Sequence, residues 1–146
     1  METDFTISTD KTKLDVVAIH DYLCNRSYWA QGRTLEAVKK SIENSLCFGV
    51  YDKDDNFIGF ARVITDCTVF AYLLDLFILE SYRKRGLGKC LVDHIVNRED
   101  LKNVRWRLDT RDAHELYRKF GFREPAFPEK IMEKQKVADR SFNSDG

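Results

Sequence analysis

The feature that most constrains this chain is a long apolar run, Val69 to Leu79. It feeds through Glu80-Ser81-Tyr82 into a basic glycine loop, Arg83-Lys84-Arg85-Gly86-Leu87-Gly88-Lys89, and then into a helical pattern. A run of that length without polar alternation predicts a central strand buried on both faces. Leu87, Cys90, Leu91 and Ile95 recur at helical spacing, which predicts a helix opening at Gly86. A helix start leaves backbone N–H groups unpaired and carries partial positive charge, so it attracts a phosphate. Gly86 and Gly88 remove side chains that would hold an anion away. Strand, glycine loop and helix in that order predict a phosphate site.

The kind of phosphate is narrowed by what is missing. A Walker loop needs Ser or Thr after Gly-Lys to serve a metal, whereas Cys90 follows Gly88-Lys89. A dinucleotide fingerprint needs three spaced glycines early in a βαβ unit. A nucleotide-binding protein is therefore disfavoured. Charge confines any anion binding to this locality. The 24 basic and 24 acidic residues cancel, so neither nucleic acid nor an anionic membrane is an expected partner.

The rest of the chain reads as one domain over residues 1–146, with a polar tail from Lys136 to Gly146 that is expected to fray. Thr3 to Ile7 predicts a short first strand. Asp10 reads as a helix cap ahead of Leu14, Val17 and Ala18, in a helix reaching about Leu23. A second helix starts from Thr34 with Leu35, Val38 and Ile42 on one face. Leu46–Tyr51 and Phe57–Thr65 make a hairpin around the turn Asp52-Lys-Asp-Asp-Asn56. Val104 to Leu108 is a further strand, and Ala113 to Phe120 a short helix stopped by Gly121. Beyond Pro125 and Pro128, Lys130 to Glu133 is expected to form a last strand. The order describes an α/β (α+β) chain, a mixed sheet with helices on its faces.

Cys24, Cys47, Cys67 and Cys90 form no CxxC pair, and His20, His94 and His114 lack metal-ligand spacing. Reduced cysteines and no metal site are expected. His94 falls near the Leu91–Ile95 face as a packing residue. The N-terminus, Met1-Glu2-Thr3-Asp4, lacks a signal peptide's apolar stretch, and no apolar run reaches the ~18 residues of a membrane span. A cytoplasmic location follows as the expectation.

Arg83-x-x-Gly86-x-Gly88 behind an apolar strand resembles the acetyl-coenzyme A loop of the GCN5-related N-acetyltransferase (GNAT) superfamily. Leu116-Tyr117-x-x-x-Gly121-Phe122, which closes the stretch Leu108 to Phe122, is similar to that family's signature downstream of the loop. Short glycine patterns recur by chance, but the two in this order and spacing, within Phe57 to Phe122, are specific. The resemblance implies a GNAT-type mixed, mostly antiparallel central sheet flanked by helices on both faces. It implies an acyltransferase with acetyl-CoA as donor substrate, attacked directly by an amine in a ternary complex, and a homodimer as found for many relatives. Backbone groups of Leu76, Phe77 and Ile78 would hold the pantetheine arm like an added strand, with the pyrophosphate on Arg83, Lys84, Arg85, Gly86, Leu87, Gly88 and Lys89. A splayed strand pair would open near Ile78.

Within the resemblance, Tyr117 matches the tyrosine that protonates the departing thiolate, a role for which a positioned proton donor is suited. Its other reading is a helix-face aromatic packed under the sheet. Asp112 stands where members often carry an Asn that contacts the cofactor. An ionised carboxylate cannot donate, so Asp112 is expected to cap the helix beside it.

The acceptor side is carried by Asp75, a charge inside Leu73-Leu-Asp-Leu-Phe77. Such a group is costly to bury unless paired or useful. It reads as a base for the amine, as a holder of a cationic substrate, or as the structural partner of Arg62 or Arg107. Tyr28, Trp29 and Arg33 lie in the loop between the first two helices, which in this fold overhangs the substrate. Arg62 and Tyr72, with Phe60 and Phe70, stand on neighbouring strands and are further candidates for the pocket. The expected acceptor is a primary amine of a small molecule or peptide. The alternative is a non-catalytic acyl-CoA-binding or regulatory module.

Overall fold

A computed structural model describes residues 4–136. Met1 to Thr3 and residues 137–146 lie outside the described residues, and with them nearly all of the expected frayed tail. The elements in chain order are β1 (Phe5–Ser8), α1 (Val16–Arg26), α2 (Leu35–Glu43), β2 (Leu46–Asp52), β3 (Phe57–Thr65), β4 (Phe70–Ile78), α3 (Leu87–Val96), β5 (Arg105–Leu108) and α4 (His114–Arg118). One sheet runs β1-β2-β3-β4-β5. Its first three pairings are antiparallel, and β4 and β5 are parallel. The parallel pair follows from the crossover through α3, which returns the chain to the same end of the sheet.

The first helix starts later than the periodicity suggested. Asp10 caps only a 3-10 turn at Lys11–Lys13. Asp15 then opens α1 by accepting the Ala18 N–H at 3.0 Å. The buried face is accordingly Ile19, Tyr22 and Leu23, and Val17 is 71% exposed. Two short capped segments in series mimic one long helix when read by spacing alone. In α2, by contrast, Thr34 is the cap and Val38 and Ile42 turn inward as expected.

Two hydrophobic cores sit on opposite faces of the sheet. Phe48, Val50, Ala61, Val63, Ala71 and Leu73 meet Leu91, Val92 and Ile95 of α3 on one face. On the other, Phe60, Cys47 and Phe77 meet Ile19, Tyr22, Leu23 and Val38 from α1 and α2. Tyr22 stacks on Phe77 with ring centroids 4.0 Å apart. His94 packs edge-on against Phe48 at 6.0 Å. Each large side chain buried this way contributes about 1.5–3 kcal/mol, against about 0–1 kcal/mol for an exposed ion pair. The cores therefore decide the stability.

β4 is not buried evenly on both faces. Ala71, Leu73, Asp75 and Phe77 are buried while Phe70, Tyr72, Leu74 and Leu76 are half-buried. Within this alternation lies a β-bulge: Phe60 pairs with Phe77 and Arg62 with Leu74, leaving Asp75 and Leu76 opposite Ala61. Asp75 occupies the left-handed region, φ +57°. A bulge with a left-handed first residue bends the strand and changes which face the following side chains take. Ala71 and Leu73 thus join the α3 core, and Phe77 joins the α1–α2 core.

The expected last strand at Lys130 to Glu133 is absent. Pro128–Lys130 form a 3-10 turn, and Ile131 to Lys136 pair with no strand. Proline fixes φ for such a turn and donates no N–H. The two apolar residues beyond it would bury little in a ladder, and Met132 is 94% exposed. The outer edge of β5 is left without a neighbouring strand among the described residues.

Candidate active site

Gly86 caps α3 with φ +79°, a conformation that costs a side-chain-bearing residue about 1–2 kcal/mol. A Cβ added at Gly86 or Gly88 would meet nothing within 4 Å, so the space above the helix start is open. The first bond of the helix is Cys90 N–H to Gly86 C=O at 3.0 Å. The amides of Leu87, Gly88 and Lys89 have no partner among the described residues. Lys84, Arg85 and Lys89 are exposed around them. Three free amides, glycines and cations fit a pyrophosphate.

Arg83, expected as a phosphate ligand, already donates from two of its three nitrogens. Its Nε donates to the Ile78 carbonyl at 3.0 Å and its Nη2 to the Tyr22 hydroxyl. The guanidinium braces the loop against β4 and α1. Arg85 lies over the Tyr82 ring, 5.2 Å from its centroid.

β4 and β5 separate earlier than expected. Their ladder runs from Phe70–Arg105 to Leu73–Leu108 and ends there, so the split begins five residues before Ile78. Past it, among the described residues, Leu74 to Ile78 have a strand neighbour only on the β3 side. A free edge of this kind is what an extended amide-bearing arm can join as an added strand.

Tyr117 lies beside this split, buried to 9% exposure and packed edge-on against Phe122 at 5.7 Å. Burial, with smaller contributions from Tyr28 and Asp112, pushes its phenol up to about 12. It therefore remains a proton donor throughout the neutral range. Asp112 does not cap α4. The cap position is Ala113, whose N–H donates to Thr110 Oγ1 at 3.0 Å, while Asp112 is exposed. No side chain caps α4; the Thr110 hydroxyl serves the amide of the cap residue itself, one position ahead of the helix.

The loop between α1 and α2 spans the split and is fastened on both sides. On β4, Asp75 Oδ1 accepts from Trp29 Nε1 at 2.9 Å, and Oδ2 accepts from Arg33 Nη1 and Arg62 Nε, both at 2.8 Å. Beyond β5, the Arg111 N–H donates to the Tyr28 hydroxyl at 2.8 Å, and its guanidinium lies 3.8 Å from the Tyr28 ring centroid. Asp75 is 4% exposed with three donors on its two oxygens. Of the partners foreseen for it, Arg62 is present; Arg107 makes no ion pair with it. Arg62 also reaches Ser45 Oγ at 3.0 Å and is buried, which removes it from a pocket surface. Phe60 is fully buried in the core.

A cleft of about 1030 Å³ runs along β5 between Tyr72, α4 and the segment ending at Glu133. Tyr117, Tyr72, Arg107 and Asp109 line it, and no residue of 79–89 does. Burial and the neighbouring Asp109 carboxylate push the Tyr72 phenol well above its ordinary range. The Arg111 and Thr110 contacts and the place of Asp109 were not among the residues singled out from sequence, and Arg107 was foreseen only as a partner of Asp75.

Among the described residues, no group of three His, Cys, Asp or Glu side chains is arranged to hold a metal, and no helix is long and apolar enough to cross a membrane. The four cysteines are free thiols.

A family model described as an acetyltransferase (GNAT) domain matches residues 43–124. A Xanthomonas campestris pv. campestris protein assigned to the GNAT family has a solved structure that superposes with a TM-score of 0.87 and 41% identity, over 90% of this chain and 93% of that one. The uncharacterised N-acetyltransferase ycf52 of Gracilaria tenuistipitata var. liui is 31% identical over 115 residues, 73% of this chain and 62% of its own. An acetyltransferase-named protein of Gibberella zeae is 29% identical over 107 residues, 61% of this chain and 60% of its own. The chain thus spans about 60% of the length of these two curated relatives.

Proposed function

This chain belongs to the GNAT acetyltransferases, and from that premise we propose that it transfers the acetyl group of acetyl-coenzyme A to a primary amine of a small molecule or peptide, by direct attack in a ternary complex. The observation that carries the reading is the split after Leu73–Leu108. It has an open, glycine-capped helix start at one end and the protonated phenol of Tyr117 beside it. On this reading residues 1–146 form a single cytoplasmic domain without nucleic-acid or membrane partners.

Bound acetyl-coenzyme A supplies an activated thioester. The amides of Leu87, Gly88 and Lys89, with Lys84 and Arg85, hold the pyrophosphate; Arg83 supports the loop from behind. Leu76 to Ile78 take the pantetheine arm along the free edge of β4. The Tyr117 hydroxyl donates to the leaving sulfur. Asp75 acts as a positioning residue, since both its oxygens already accept from Trp29, Arg33 and Arg62. The proton lost by the amine then leaves through water. Asp112 faces solvent beside Tyr117 and contributes charge rather than a hydrogen-bond donor.

Release of free thiol from acetyl-coenzyme A, followed over a panel of primary amines, tests the proposal. Tyr117→Phe should lower kcat about a hundredfold while acetyl-coenzyme A affinity stays within about twofold. Tight cofactor binding with no thiol release under any amine would favour the non-catalytic module instead.

A further inference from the structure

We infer that the acceptor is an anionic amine, a molecule that carries a carboxylate or phosphate together with its primary amino group. The inference rests on the acetyl-transfer reading and specifies its second substrate. In a chain whose charges cancel, the cleft along β5 does not balance. Arg105, Arg107, Arg118, Arg123 and Lys130 line it against Asp109, Glu124 and Glu133. Arg118 and Glu124 neutralise each other as an ion pair. Four cations then face two carboxylates, and none of the four makes an ion pair with a described residue.

The placement of these charges matters as much as their number. Trp106 and Leu108 turn toward the α3 core. Arg105 and Arg107 alternate with them and project to the opposite face, beside Phe70 and Tyr72, their ladder partners. That is the face on which the Trp29–Arg33 loop is fastened to Asp75. Asp75 there is one carboxylate shared by two guanidiniums, so it offers no negative charge to the cleft, which neither it nor Arg33 lines. The Arg105 guanidinium lies over the Phe70 ring at 5.3 Å, which holds it in place without consuming its charge. Guanidinium groups present a planar fork suited to carboxylate and phosphate oxygens. A cationic amine such as a diamine would meet like charge here. An anionic one anchored at Arg107, the last-but-one residue of β5, has its amine within the cleft that Tyr117 lines. These cations are distinct from Lys84, Arg85 and Lys89, none of which lines the cleft.

The test compares matched amines with acetyl-coenzyme A at saturation: phenylalanine against phenylalaninamide, and O-phosphoethanolamine against ethanolamine, with putrescine as a cationic control. At least one anionic member should exceed its neutral partner about tenfold or more in kcat/KM, and which pair responds separates carboxylate from phosphate. Arg107→Gln should bring that ratio toward one, and Arg107→Glu should shift the preference toward putrescine. Arg105→Gln, at an exposed position, gives the same readout if Arg107 variants melt early. Neutral amines or putrescine reacting as well as the anionic ones, or a ratio unmoved by both glutamine variants, would overturn the inference. If no amine releases thiol, NMR titration of phenylalanine and O-phosphoethanolamine into the whole protein decides it: shifts lost in Arg107→Gln support it, and no shifts overturn it. Acetyl-coenzyme A binding, measured separately by calorimetry, reports on the donor reading alone.

Discussion

The two loops that face each other across the split are built in opposite ways. The loop proposed for the donor, residues 83–89, is exposed except at Leu87 and Gly88, has three amides without a partner among the described residues, and is shaped by two glycines with nothing near their Cβ positions. The loop proposed for the acceptor side, Tyr28 to Arg33, is held by groups far along the chain, the Asp75 carboxylate 46 residues away and the Arg111 N–H 83 residues away. One is an open cradle whose bonding groups wait for a ligand; the other is a strap whose bonding groups are already used. A mutation in the first should remove binding and spare the fold, and a mutation in the second should do the reverse.

The largest effect is expected at Asp75. Asp75→Ala leaves the Arg62 guanidinium buried and Arg33 and Trp29 without their acceptor, and should destabilise the protein by about 3–5 kcal/mol in urea unfolding. Asp75→Asn keeps the size and tolerates the left-handed backbone, and should recover part of that loss. Retained stability in Asp75→Ala would show that the strap is not fastened there. Gly86→Glu comes next. It places bulk and negative charge over the free amides, and should weaken acetyl-coenzyme A binding about a hundredfold or more, with loss of about 1–2 kcal/mol in stability from the φ +79° strain. Wild-type affinity by calorimetry would remove the cradle from the site.

Alkaline pH separates the cores from the split. Burial pushes the Cys47 thiol up to about 11 and the Tyr51 and Tyr117 phenols up to about 12, from ordinary values of 9.0, 10.0 and 10.0. A raised folded-state pKa means the unfolded chain loses the proton first. Stability is therefore level below about pH 9 and falls as pH rises toward 12. Unfolding curves of Cys47→Ala should begin their decline nearer pH 10, and Tyr117→Phe should shallow the fall above it. The smallest effect is expected for Tyr28→Phe, which removes one acceptor from the Arg111 N–H at a half-exposed position. It should cost about 1 kcal/mol or less and raise the acceptor KM more than the acetyl-coenzyme A KM. Equal changes in both would mean that Tyr28 does not discriminate the two sides.

How much could be read in advance follows the same division. Phe57–Thr65 and the cap at Gly86 were legible because the polar turn Asp52–Asn56 and a glycine helix start are local signals. The start of α1 was not, because two short caps in series imitate one period. The absent strand after Pro128 was misread because a strand needs a neighbour that local sequence does not name. Arg83 reads as a phosphate ligand by its charge, and only the positions of Ile78 and Tyr22 show that its guanidinium also donates to the Ile78 carbonyl and the Tyr22 hydroxyl.

The sequence by itself determined the elements proposed for the donor side: an apolar strand, a glycine-capped helix and Tyr117 are set by residues within one short stretch of chain. Only the tertiary structure decided how the residues proposed for the acceptor side are joined. The bulge at Asp75, the strap from Tyr28 to Arg33 and the unbalanced charge of the β5 cleft arise between segments that share no local pattern. Their energies depend on burial and on partners brought together by the sheet.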